Sequence, residues 1–237
     1  MNVRTHRVVP VGIALLIMLL SALAALMVSG GHDAAAHGTD RNAAASLMTM
    51  AGGAGTVSAS EFALHEEMRR LWEEHVAWTR LAVISLTTDA PDTKATVGRL
   101  LQNQTDLGNA IKPYYGAAAG RQLTALLRQH ILIAADLIAV AKSGDAAGVT
   151  SQEARWTANA DQIATLLNKA NPVSWKLGPM KAMMHDHLRL TTDEVVARLQ
   201  HKWAADVRAY DRIHLQILHM SDMLASGIVT QFPARFS

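Results

Sequence analysis

No cysteine occurs among the 237 residues. That excludes a disulfide framework and every thiolate metal site, and leaves His, Met, Asp and Glu as the available metal ligands. Aromatic residues make up only 5% of a chain that is half apolar, so a core must be built from Leu, Ile, Val, Ala and Met. Formal net charge is +2, an excess that Arg4 and Arg7 account for, and no Lys/Arg cluster has the footprint of a nucleic-acid binder. The sequence pI near 9.0 therefore carries no implication of DNA or RNA as a partner. Also lacking are a period-two strand pattern, a phosphate-cradling Gly loop, HExxH and CxxC. Their absence weighs against the common hydrolases and nucleotide enzymes.

At the N-terminus there is a long apolar run. Arg4, His6 and Arg7 precede a stretch from Val8 to Gly31 without one charged residue. About 20 apolar residues cross a bilayer core, whereas a cleavable signal has an apolar region of about 7–15. Residues 1–31 thus read as a signal-anchor, with Val8–Val28 an apolar helix in lipid. A cleaved signal is the alternative, since Ser29, Gly30 and Gly31 are small enough for a peptidase. Arginines on the N-terminal side keep that end in the cytoplasm and put the following domain outside, on the membrane or secreted if cleavage occurs. Residues 32–59, rich in Gly, Ala, Ser and Thr, read as a flexible tether.

Residues 60–237 read as an all-α domain. Ser60 is positioned to cap a first helix over 60–86, on which His65, Met68, Trp72, His75, Thr79, Ala82 and Leu86 share one stripe. Helices are expected over 93–111, 117–142, 151–170, 179–200 and 203–230, separated by turn signals at Asp89–Asp92, Pro113–Gly116, Gly144 and Asn171-Pro172. Short connections imply an antiparallel helical bundle, with four long helices plus two shorter ones. A faint internal duplication aligns NAIKPYYG and the following His130 with NKANPVSW and the following His187, making those two histidines pseudo-symmetric partners.

The strings LWEEHVAWTR (71–80), NAIKPYYG (109–116), HILIAADLI (130–138) and WTANADQIA (156–164) resemble those of an uncharacterised family of small exported helical bacterial proteins. Its members carry inconsistent enzyme names, glycosyltransferase among them, and no agreed activity. The resemblance implies a helical exported domain and no mechanism. The residues themselves offer no α/β pattern and no acidic DxD motif for glycosyl transfer.

Polar groups on otherwise apolar stripes carry the functional expectation. His75, His130 and His187 each lie on the inward stripe of a separate helix. His214 shares a side of the last helix with Asp206 and Tyr210, Glu194 aligns with His187, and Asp136 interrupts an apolar helix. Burying such groups is costly unless they pair or bind something. Histidines and carboxylates facing one bundle interior can hold a metal, and His75, His130, His187, His214, Asp136, Asp206 and Glu194 are the candidate ligands. Nearby methionines (Met180, Met183, Met184, Met220, Met223) suit copper, with zinc the other candidate. A ferritin-like di-iron site is excluded for want of paired Glu-x-x-His motifs. Together these features describe an extracytoplasmic, membrane-anchored binding module with an interior His/carboxylate cluster. The competing readings are a structural or interaction protein whose buried His, Asp and Asn form only a polar network, and an enzyme of unstated reaction.

Overall fold

The computed structural model describes residues 57–237. The expected apolar segment and the tether up to residue 56 lie outside the described residues. Among those described, every regular element is helical and none is a strand.

Helix α1 (Ala59–Thr88) is capped by Ser58, whose Oγ accepts the Glu61 N–H at 3.1 Å. Ser60 already lies in the first turn. Helix α2 (Thr93–Ser143) is continuous by hydrogen bonding but breaks at Gly116, where φ 82° and ψ 167° suit only glycine. Pro113 stays inside the first arm, so the chain bends at the glycine and not at the proline. Beyond the break the two arms, 93–115 and 117–143, fold back on each other. Gly108 and Gly120 pack so closely that a Cβ on either would meet the other's carbonyl. Helix α3 (Ala146–Ala170) begins earlier than expected because Asp145 accepts the Gly148 N–H at 2.9 Å and caps it there. Helices α4 (Leu177–Leu199) and α5 (Trp203–Gln231) and a short 3-10 turn (Pro233–Arg235) complete the chain. The expected division into four long and two shorter helices is not matched. Among the described residues there are five α-helices, the shortest of 23 residues, and the pair expected over 93–142 is the single broken helix α2.

These helices close a ring. α1 packs on α2, α2 on α3, α3 on α4, α4 on α5, and α5 returns to α1. Counting the arms of α2 separately, the ring is three consecutive hairpins: α1 with the first arm of α2, the second arm with α3, and α4 with α5. Each hairpin turns through one residue with positive φ: Asp89 (53°), Gly144 (77°) and His201 (58°). At each, the next N–H reaches back five residues: Ala90 to the Ser85 carbonyl, Asp145 to Val140, and Lys202 to Ala197. That bond closes a Schellman motif at the same point in all three hairpins.

The core fills the ring's interior with Leu, Ile, Met and Trp, including Leu71, Ile163, Met180, Ile217 and Ile228. Burying each such side chain contributes about 1.5–3 kcal/mol, the main stabilising term in the absence of disulfides. Trp175, in the turn between α3 and α4, closes one end. Its indole lies against Gly227, where any Cβ would overlap the ring. α2 is long and apolar enough to span a membrane by composition, but it breaks at Gly116 and lays both arms into the bundle.

Candidate functional site

Each hairpin contributes one buried histidine from its first helix: His75 on α1, His130 on the second arm of α2, His187 on α4. They are 3, 3 and 5% exposed. The His187 ring centroid lies 6.1 Å from that of His75 and 6.2 Å from that of His130, so the three imidazoles form one layer across the bundle. Trp72 meets His75 edge-on at 5.5 Å, and Trp156 lies 5.2 Å from His130.

The second helix of each hairpin presents a side-chain amide to its own histidine. His130 Nδ1 and Asn159 Oδ1 are 2.9 Å apart, and the Asn159 Nδ2 donates to the Leu126 carbonyl at 3.1 Å. His187 Nδ1 and Gln216 Oε1 are 3.2 Å apart, and the Gln216 Nε2 donates to the Met183 carbonyl at 3.2 Å. Because each amide spends its N–H on a backbone carbonyl, its oxygen must accept. The proton therefore sits on Nδ1, and Nε2 keeps a free lone pair. The carbonyl bound in each case lies four residues before the histidine.

The first hairpin departs from this wiring. Asn103 Nδ2 donates to the Leu71 carbonyl at 2.9 Å, again four residues before the histidine, but its Oδ1 accepts from Gln104 Nε2 at 3.1 Å. His75 Nδ1 and Gln104 Oε1 are both buried and both without a partner. His130 Nε2 and the indole nitrogens of Trp72 and Trp156 are likewise buried and unpartnered, so orphaned polar atoms gather around this layer.

These pairings reveal a threefold repeat. His130 and Asn159 are 29 residues apart, as are His187 and Gln216, and the same interval separates His75 from Gln104. Each positive-φ turn residue follows its histidine by fourteen. The duplication read from sequence around His130 and His187 is one step of this triplication.

Electrostatics keep the triad uncharged. Burial, reinforced by the neighbouring imidazoles, pushes His75 and His130 down to about 3. Burial also lowers His187. All three are thus neutral imidazoles near neutral pH, the form that binds metals.

Two apolar voids flank the layer and share the three histidines as their common wall. One, of about 60 Å³, lies toward the hairpin turns among Val83, Leu100, Ile138 and Val195. The other, of about 30 Å³, lies toward Trp175 among Leu107, Leu127, Ile163 and Met184. No acidic side chain lines either void.

The remaining candidate ligands stand elsewhere. Glu194 and Asp206 are each 1% exposed, but they face the seam between α1, α4 and α5. There Asp206 accepts from Arg80 at 2.7 Å and from Arg198 at 2.9 Å, Glu194 accepts from Arg80, and the Arg80 guanidinium lies 4.9 Å from the Tyr210 ring centroid. Burial pushes the Glu194 carboxyl up to about 7 against the pull of Arg80. For Asp206 the two arginines outweigh burial and hold the carboxyl below its usual range. His214 lies at the surface, 3.1 Å from Glu73. Asp136 is 60% exposed and faces Arg155 across 3.9 Å, so it is not buried as its apolar neighbours suggested. Of the candidate methionines, Met184 and Met220 line the void on the Trp175 side, whose wall His187 shares. Among the described residues, no three His, Asp or Glu side chains are close enough to enclose an ion as they stand. The amides Asn159 and Gln216 were not among the sequence candidates, although the 29-residue interval to their histidines marks them.

Compared with known proteins, the chain matches no family model, no curated protein and no solved structure.

Proposed function

We propose that this chain is a binding module, held at the membrane by its N-terminal apolar segment with the helical bundle outside the cytoplasm, and that it takes one transition-metal ion at His75, His130 and His187. One observation carries the reading: three neutral imidazoles in one layer, two with Nδ1–H held by an amide oxygen so that Nε2 is the free donor. Amide or carboxylate bonds to the distal ring nitrogen are how metal-ligating histidines are oriented. The triad replaces the larger His/carboxylate cluster as the ligand set, because Glu194 and Asp206 are held by arginines, while Asp136 and His214 are on the surface.

Charge favours one metal. A dication among neutral ligands in an apolar cavity keeps its full desolvation penalty, whereas a monocation with imidazole and thioether nearby has far less to offset. Copper(I) is therefore preferred over zinc(II), with Met184 on the same void as His187. Metal–nitrogen bonds of about 2.0–2.1 Å require the three rings to stand closer together than they do here.

The test is anaerobic titration of the full chain in detergent with copper(I) and, separately, zinc(II), against a competing chelator. One copper per chain is expected, with X-ray absorption showing nitrogen ligands. His130→Leu should abolish it, Asn159→Leu should weaken it about 10–100-fold, and His214→Leu should leave it unchanged. Absence of stoichiometric metal, or equal retention in His130→Leu and wild type, would overturn the proposal. The triad would then be a structural polar layer, a reading the closed amide–imidazole bonds of two hairpins also favour.

A further inference from the structure

The void on the turn side of the histidine layer has no charged group on its walls. Its sides are repeated: Val83, Ile138 and Val195 each lie eight residues after a histidine, one from every hairpin. Thr79, Thr191 and Thr192 also line it; the hydroxyls of Thr79 and Thr191 donate to the His75 and His187 carbonyls at 2.7 and 2.9 Å, as Ser and Thr do when turned back onto their own helix. What Thr79 and Thr191 add to the chamber is therefore largely methyl. Of the buried polar atoms on its lining residues, the Trp156 indole N–H, His130 Nε2 and His75 Nδ1 have no partner, and all three belong to the histidine end of the chamber.

A volume of about 60 Å³ is several times the roughly 10–15 Å³ of probe space that one water needs; the orphaned atoms of the histidine end can hold one water, and a second would lack the two to four polar partners it requires. Apolar space without such partners stays dry and takes apolar guests. We infer that the turn-side chamber is a binding site for one small, uncharged, apolar molecule of the size of a diatomic gas, seated against the histidine layer. This site does not depend on a metal at the triad.

The test uses metal-free full chain in detergent micelles, with xenon as the probe and methyl resonances as the readout. Val83, Ile138 and Val195 should shift saturably with xenon pressure, at least five-fold more than the exposed methyls of Val57 and Val207, which report xenon dissolved in the micelle. Ala134→Leu, which adds bulk to the chamber wall, should reduce those shifts at least five-fold. Should that variant not fold, the wild-type comparison decides alone. Shifts no larger than those of the exposed methyls would overturn the inference. So would shifts confined to Leu107, Ile163 and Leu167 on the Trp175 side, or a long-lived water in the chamber that xenon does not displace. Because no metal is present, none of these outcomes bears on the copper titration.

Discussion

Acid should dismantle this bundle through its histidines. His75 and His130 have folded pKa values below the unfolded value near 6.5, so their contribution is complete above pH 6.5 and is lost as pH falls toward about 3, and burial shifts His187 in the same direction. Below 6.5 the unfolded chain binds protons that the folded chain refuses. Each refused proton costs about 1.4 kcal/mol per pH unit. Glu194 works in the opposite sense: its carboxyl, raised to about 7, takes up a proton in the folded state before the unfolded chain does, which adds stability as pH falls from 7 toward 4.5. With His75 and His130 against one carboxyl the net is about one proton, or about 1.4 kcal/mol per pH unit, and His187, also lowered by burial, adds in the same sense. Between pH 6 and 4.5 these groups cost at least about 2 kcal/mol, a sizeable share of the roughly 5–15 kcal/mol that holds a domain folded. Urea midpoints followed by far-ultraviolet circular dichroism from pH 7.5 to 4.5 measure this directly, and Glu194→Gln should steepen the slope by about one proton. A midpoint flat across pH 6.5 to 5, with imidazole resonances of His75 and His130 titrating near 6.5, would refute the neutral, buried triad.

Removing Asn159 should cost more than its size suggests. Asn159→Ala strands the His130 Nδ1–H in the core and is expected to destabilise by about 2–3 kcal/mol in chemical denaturation, while His130→Leu with Asn159→Leu removes both partners and should cost less than the two single changes together. A single-variant cost under about 0.5 kcal/mol would mean that the imidazole finds another partner. Gly227→Ala places a methyl in the volume of the Trp175 indole, and overpacking of this kind should cost about 1–3 kcal/mol with a change in Trp fluorescence. No shift in the denaturation midpoint or the emission would show that the indole is free to move aside.

The helical stripes were legible because a 3.6-residue period reports which side of each helix is buried. That is how His75, His130 and His187 were all placed inward from sequence. The same period says nothing about which neighbour a stripe meets. Glu194, two turns beyond His187, points into the bundle and is taken by Arg80 from α1 rather than by the triad. Asp136 follows His130 by six residues, which is about 240° round the helix, and this carries it to the outer face. The misreading arose because that outer face is also apolar, with Leu132 48% exposed. Helix starts at 60 and 151 moved to Ala59 and Ala146 because Ser58 and Asp145 supply the capping oxygens. Within the expected turn at Pro113–Gly116 the break falls on Gly116 alone, and the helix runs on through Pro113 up to it.

The triplication was harder to see because its positions hold roles rather than residue types. At the turn the three hairpins use Asp, Gly and His, which share only a positive φ. At the amide they use Gln, Asn and Gln, which share only a carbonyl oxygen at the right height. Only the histidine is the same in all three. The one place where wiring differs bears on function. Asn103 has taken the carbonyl bond that Asn159 and Gln216 make, and Gln104 and His75 are left with facing roles and no bond between them. Two orphaned polar atoms cost about 1–3 kcal/mol each, and a layer whose purpose was stability alone would gain by closing them as the other two hairpins do. His75 is thus the imidazole of the three without a close amide bond, and under the proposed metal reading it is the ring whose adjustment toward Gln104 would complete the third copy of that bond.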